Sequence, residues 1–144
     1  MHPPPEKVIR RQMEKLAVNL SSRAEGNIAR AAAVNRTLAL FTSDIFINGE
    51  GMSRVGESIS GKTELQQALF AASRQLQGDV TFEEIHVTVG PEETNAVVTF
   101  SAVAKLADQP QPYSQDIKAQ FQNIDGNWLI ARVDPINVTT APPP

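Results

Sequence analysis

The sequence predicts an α+β fold, with helices first and an antiparallel sheet after them. From residue 80 onward it reads as four extended segments in succession, Val80–Gly90, Asn95–Ala107, Tyr113–Asn123 and Asn127–Val138. Turn-forming residues separate them: Gly90-Pro91-Glu92-Glu93, Asp108-Gln109-Pro110-Gln111-Pro112 and Asp125-Gly126. The second segment sets Ala96, Val98, Phe100, Ala102, Ala104 and Leu106 against Asn95, Thr99, Ser101 and Lys105. The third sets Tyr113, Ile117, Ala119 and Phe121 against Ser114, Asp116, Lys118, Gln120 and Gln122. A period of two gives each strand one apolar face, and short connections make neighbours antiparallel. Before residue 80 the apolar residues recur at three and four, as in helices that could cover such a face.

Glu6 to Ser21 is the first helix. Pro5 suits its first turn, Ile9, Met13, Leu16 and Leu20 share one side, and Arg10, Arg11, Glu14 and Lys15 take the other. A second helical stretch runs from Ala24 through Ile28, Ala31, Ala32 and Leu38 to Phe41, with Asn35 a candidate break. Thr42-Ser43-Asp44 ends it, Ile45-Phe46-Ile47 is a short strand, and Asn48-Gly49-Glu50-Gly51 is a turn. Ser60 then caps a third helix, Lys62 to Gln75, with Glu64 in its first turn and Leu65, Leu69, Phe70 and Ala72 on its inner side.

The 144 residues suffice for one domain, expected over 6–138, with proline-rich tails at 1–5 and 139–144. A formal net charge of −3 gives no electrostatic reason to expect nucleic acid or an anionic membrane as partner. No apolar run reaches the length of a membrane helix, so no membrane insertion is expected. A soluble cytoplasmic protein and a domain cut from an exported one fit equally. With no cysteine there are no disulfides, thiolate metal sites or cysteine nucleophiles. His2 and His86 have no ligand-type partner at useful spacing, so neither a metal nor another cofactor is expected.

Three stretches resemble the nuclear-transport-factor-2-like superfamily, which includes SnoaL-like cyclases and ketosteroid isomerase. They are Phe41 to Ile47, then Gly56 with Ser60 to Leu65, and Phe121 to Ile130 with Asp125-Gly126 ahead of Trp128. The resemblance spans about Glu6 to Val138. It implies a cone, a curved sheet wrapped round the helices with an apolar pocket inside, and pairing of two copies through the outer sheet face. It also implies a general-base aspartate, whose place falls at about Gly49, leaving Glu50 as the candidate carboxylate. The implied tyrosine donor on the first helix is missing, because Tyr113 is the only tyrosine.

Gly56-Glu57-Ser58-Ile59-Ser60-Gly61-Lys62-Thr63 fits the P-loop pattern, but a P-loop needs a strand leading into it within a parallel sheet. Met52-Ser53-Arg54-Val55 is no such strand, so nucleotide binding is not expected. Asn48 to Arg54 lacks the third glycine of a dinucleotide fingerprint and reads as a turn. Asp116 with Lys118, and Arg132 with Asp134, read as cross-face or structural charges.

The expected function is therefore a non-catalytic module that binds a small apolar ligand or mediates association. The alternative is a small-molecule isomerase, dehydratase or cyclase using carboxylate acid/base chemistry. The expected pocket is lined by Phe41, Phe46, Leu69, Phe82, Phe100 and Ala102, with Phe121, Ala131 and Val133, and with Asn48, Glu50 or Tyr113 as polar groups. Small residues at Ala102, Ala119 and Ala131 leave room where a packed core would use leucine. Unbroken alternation in the last segment turns Trp128, Ile130 and Arg132 outward, giving a dimer face with Val103, Lys118 and Gln120.

Overall fold

A computed structural model describes residues 4–21, 27–49, 58–73, 80–105 and 110–136. Within these, the order is α1 (Pro5–Leu20), α2 (Asn27–Leu38), β1 (Phe41–Ile47), β2 (Ile59–Ser60), α3 (Gly61–Ser73), β3 (Thr81–Val89), β4 (Asn95–Ala104), β5 (Tyr113–Ile124) and β6 (Asn127–Pro135). The strands form one open sheet in the order β2-β1-β6-β5-β4-β3. The meander from β3 to β6 is antiparallel throughout, as the turns predict. At the Asp125-Gly126 turn both residues have positive φ, +52° and +88°, the backbone that a two-residue hairpin requires.

The N-terminal half departs from expectation at β1. The α2 helix passes through Asn35 without a break and stops at Leu38, and the strand starts at Phe41 rather than Ile45. The reason is tertiary: β1 lies parallel to β6, Phe41 facing Ile130, and the Ile130 N–H donates to the Leu40 carbonyl at 2.9 Å. A partner strand distant in sequence overrides the helical spacing of Leu38 and Phe41. Ser60 begins α3 as expected in one respect, since its backbone N–H donates to Glu64 Oε1 at 3.0 Å.

The second departure is at β6. Gln120 faces Arg132 while Phe121 faces Ile130, so Ala131 is an extra residue, a bulge. One inserted residue reverses the faces on either side of it. Trp128 and Ile130 are therefore buried, 4% and 2% exposed, and do not belong to the outer surface. Leu129 turns outward instead, aligned with Gln122, while Arg132 stays outward as expected, aligned with Gln120.

The core lies between α1, α3 and the inner face of the sheet. Ile9, Met13 and Leu16 of α1 meet Phe41, Ile45, Val98, Phe121, Trp128 and Ile130 in one buried cluster. Two side chains of α1 also tie it to strand backbone: Gln12 donates to the Trp128 carbonyl at 3.0 Å and Arg10 to the Ile85 carbonyl at 3.3 Å. Ile85 is available because β3 has its own irregularity between Glu83 and His86, with Glu84 at φ +54°.

Candidate functional site

Burial along the inner face changes from one end of the strands to the other. On β4, Ala96, Val98 and Phe100 are buried, whereas Ala102 and Ala104 are half-buried. On β5, Phe121 and Ala119 are buried, whereas Ile117, Gln115 and Tyr113 are half-buried. β6 repeats the pattern, from buried Trp128 and Ile130 to half-buried Val133 and Pro135. Register pairs Phe100 with Ile117, Ala102 with Gln115 and Ala104 with Tyr113, so all six share that face. Phe82 on β3, opposite Ala102, sets its ring 4.8 Å from that of Phe100 at a 60° tilt. Leu69 of α3 is also half-buried against the core. The end of this face beside the Asp125-Gly126 turn is thus packed, and the end beyond Phe100 and Ala119 is apolar but less completely covered.

The predicted pocket residues divide accordingly. Phe82, Ala102, Tyr113 and Val133 lie on the less covered end of the inner face, with buried Phe100 next to it, and Leu69 is half-buried against the core. Phe41 and Phe121 are packed into the buried cluster. Ala131 is the bulge residue of β6. Phe46 and Asn48 are corrections, because both engage the outer side. Phe46 faces Arg132, whose guanidinium carbon sits 4.9 Å from its ring centroid, and Asn48 Nδ2 donates to Asp134 Oδ1 at 3.3 Å. Glu50 lies outside the described residues. Gln115 was missed: its polar character assigned it to neither face, and only its pairing with Ala102 reveals the inner one.

The outer face carries the remaining candidates. Register aligns Phe46, Arg132, Gln120 and Val97 in one row, and Asp134, Lys118, Thr99 and His86 in the next. Val103 faces Ser114 on the same side. Arg132 donates twice to Asp134, from Nε at 2.8 Å and Nη2 at 3.1 Å. These bonds are the main cause holding the Asp134 carboxyl below its usual range; partial burial opposes them, while Asn48 and the charges of Arg132 and Lys118 add to them. The Ser101 hydroxyl donates to Asp116, and both, with Glu84, His86, Thr99, Phe100 and Ile136, border a shallow groove of about 180 Å³. Among the described residues, no group of three or more histidine and carboxylate side chains could hold a metal ion. No described helix is long and apolar enough to cross a membrane.

Solved structures share this arrangement. A provisionally assigned aromatic ring hydroxylase from Novosphingobium aromaticivorans superposes with a TM-score of 0.74 at 12% identity, over 96% of this chain and 93% of that one. A protein of unknown function with a cystatin-like fold from Nostoc punctiforme gives 0.68 at 16% identity, over 93% and 92%. A nuclear-transport-factor-2-like protein from Anabaena variabilis gives 0.61 at 16% identity, over 94% and 92%. The chain has the nuclear-transport-factor-2-like fold. At these identities the similarity speaks for the cone alone, since this architecture hosts unrelated activities. Other matching structures of the fold carry provisional dehydratase and isomerase assignments. No family model matches the sequence, and no curated protein matches it.

Within the nuclear-transport-factor-2-like cone, the P-loop-like stretch takes a different form from a phosphate cradle. Ile59 and Ser60 form an edge strand antiparallel to β1, and α3 begins directly at Gly61. Gly56 and Glu57 of that stretch lie outside the described residues.

Proposed function

We propose that this chain binds a small, mainly apolar ligand at the open end of the cone, without catalysing its conversion. The observation that carries the reading is the burial gradient along β4, β5 and β6. Ala102, Ala104, Ile117 and Val133 stay only partly buried although the rest of the same face is buried. Apolar surface left accessible in a concave, preformed setting is the usual make-up of a ligand pocket. The charges point the same way. Asp44, Glu64, Glu83, Glu84 and Asp125 are exposed, and Asp116 and Asp134 belong to the outer face. Among the described residues, none places a carboxylate at the open end of the inner face where it could move a proton.

The isomerase, dehydratase or cyclase reading is favoured by the provisional assignments of several structures of this fold. In this chain it depends on Glu50. Nile red fluorescence separates the two readings. Binding in the micromolar range, equal for the native chain and Glu50→Gln, is expected for the module; absence of binding overturns it. Turnover of any enolisable ketone that Glu50→Gln abolishes establishes the enzyme instead.

Association is the second part of the proposal: two copies meet through the outer face. Val97, Val103 and Leu129 interrupt a row of hydrogen-bonding groups that includes Lys118, Gln120 and Arg132. Such a mixture of apolar centre and polar surround suits a self-complementary contact.

A further inference from the structure

We infer that two copies of this chain stack the outer faces of their sheets about a two-fold axis lying between the Lys118 row and the Asp116 row; this rests on the association reading above and gives it a register. Beyond the Arg132 row and the Lys118 row, a third row holds Asp116, Ser101 and Glu83, and a fourth holds Ser114, Val103 and Thr81. Thr88, opposite Val97, belongs to the Arg132 row. Each of these residues is half-buried or exposed within one copy.

An axis in the plane of the contact and perpendicular to the strands lays each strand antiparallel on its own counterpart, and each row on the row equally far from the axis. Set between the second and third rows, it brings Lys118 of one copy to Asp116 of the other, His86 to Glu83, and Thr99 to Ser101, hydroxyl against hydroxyl. One step further from the axis, Val97 meets Val103 and Gln120 meets Ser114. Every contact occurs twice, as a closed two-fold interface requires. The central pair has the atoms it needs. The Ser101 hydroxyl occupies Asp116 Oδ1, which leaves Oδ2 to accept from Lys118. Within its own copy Lys118 acts on Asp134 through charge and not through a hydrogen bond. Stacked sheets lie about 10 Å apart, a gap that a lysine and an aspartate reaching towards each other can close.

Other positions of the axis fail on charge. On the Lys118 row it would set Lys118 against Lys118 and Asp134 against Asp134; on the Asp116 row it would set Asp116 against Asp116 and Glu83 against Glu83. An axis running along β5 sets every residue of that strand on itself, Lys118 included. Between the Arg132 and Lys118 rows, Lys118 meets Gln120 and Asp116 meets Gln122, so neither charge finds its opposite. Arg132 there gains only a second Asp134, having one in its own copy already. The chosen position alone gives Lys118 a carboxylate and sets valine on valine at the same time.

Charge reversal read by light scattering tests this, in proteins whose unfolding midpoints show they are folded. Lys118→Asp and Asp116→Lys should each raise the dimer dissociation constant about a hundredfold or more, since symmetry sets like charges together twice. An equal mixture of the two variants should form a dimer again, because both central contacts then join opposite charges. Cysteine variants decide the register even if a charge variant does not fold, since the chain has no cysteine of its own. A short bismaleimide should join Val97→Cys to Val103→Cys in a mixture. It should not join either variant to itself, because six residues of strand, about 20 Å, separate each cysteine from its counterpart. A dimer that survives both reversals, a mixture that stays monomeric, or Val97→Cys linking to itself as readily as to Val103→Cys overturns the register and leaves the association reading standing. A native chain that is monomeric at tens of micromolar removes the association reading, and the inference with it.

Discussion

Arg132 and Asp134 sit two apart on β6, and that spacing alone suggested the pair that the structure contains. Its consequence is a pH dependence of known sign. The Asp134 carboxyl is held below its usual range, so it titrates lower in the folded chain than in the unfolded one. Such a group adds stability that is fully present above the unfolded value, about 4, and disappears as pH falls through the folded one. Asp134→Asn should therefore lower the urea midpoint modestly at pH 7, with the difference closing as the pH drops below about 4. A gap that stays constant with pH would mean the carboxylate charge plays no part. Partial exposure of both side chains keeps the effect small. Thr42 makes an opposite case. Its hydroxyl is buried on β1 with no hydrogen-bond partner. Leaving a hydroxyl dry and unpaired costs about 1–3 kcal/mol, so Thr42→Val should be neutral or raise stability by about 1 kcal/mol. Loss of stability would show that the oxygen is satisfied after all. Pairings of this residue scale were legible only within one strand. Phe46 beneath Arg132 was not, because a parallel contact between distant segments creates it.

The strands of the meander could be read from the sequence because alternation and turn residues agree there. The inner side of β6 could not. Trp128, Leu129, Ile130, Ala131 and Val133 are all apolar, so the pattern fits either face, and nothing local announces the bulge at Ala131. The bulge reassigns Trp128 and Ile130 from surface to core, and that has a measurable result. Ile130→Ala should cost about 2–5 kcal/mol in chemical unfolding, the range for a large-to-small change in a packed core. An effect within about 0.5 kcal/mol, typical of surface positions, would restore the unbroken alternation. The association face is better probed at Val97, which is 36% exposed near the start of β4. Val97→Glu should leave folding intact and shift a dimer to monomer in light scattering. A dimer that survives this change does not use the outer face. A native chain that is monomeric at tens of micromolar removes the association proposal altogether.

At the scale of the whole molecule, one end of the cone is a packed core and the other is where the ligand site is proposed. Ile9, Met13, Trp128 and Phe121 fill the first; at the second, Ala102, Ala104, Ile117 and Val133 are only partly buried. The small residues on β4 are what suggested such an end from sequence. Tyr113 was named there from sequence but Gln115 was not, since it looks like any solvent-facing glutamine until Ala102 is set opposite it. Phe46 and Asn48, expected to line the pocket, instead secure β1 to the outer row of β6. The most direct test is a solution NMR titration of isotope-labelled protein with 2-naphthol. Backbone and methyl shifts should move at Phe82, Ala102, Ile117 and Val133, leaving Ile9 and Met13 nearly still. Shifts confined to His86, Thr99 and Asp116 on the outer groove, or no shifts at all, would contradict a ligand site at the open end of the cone.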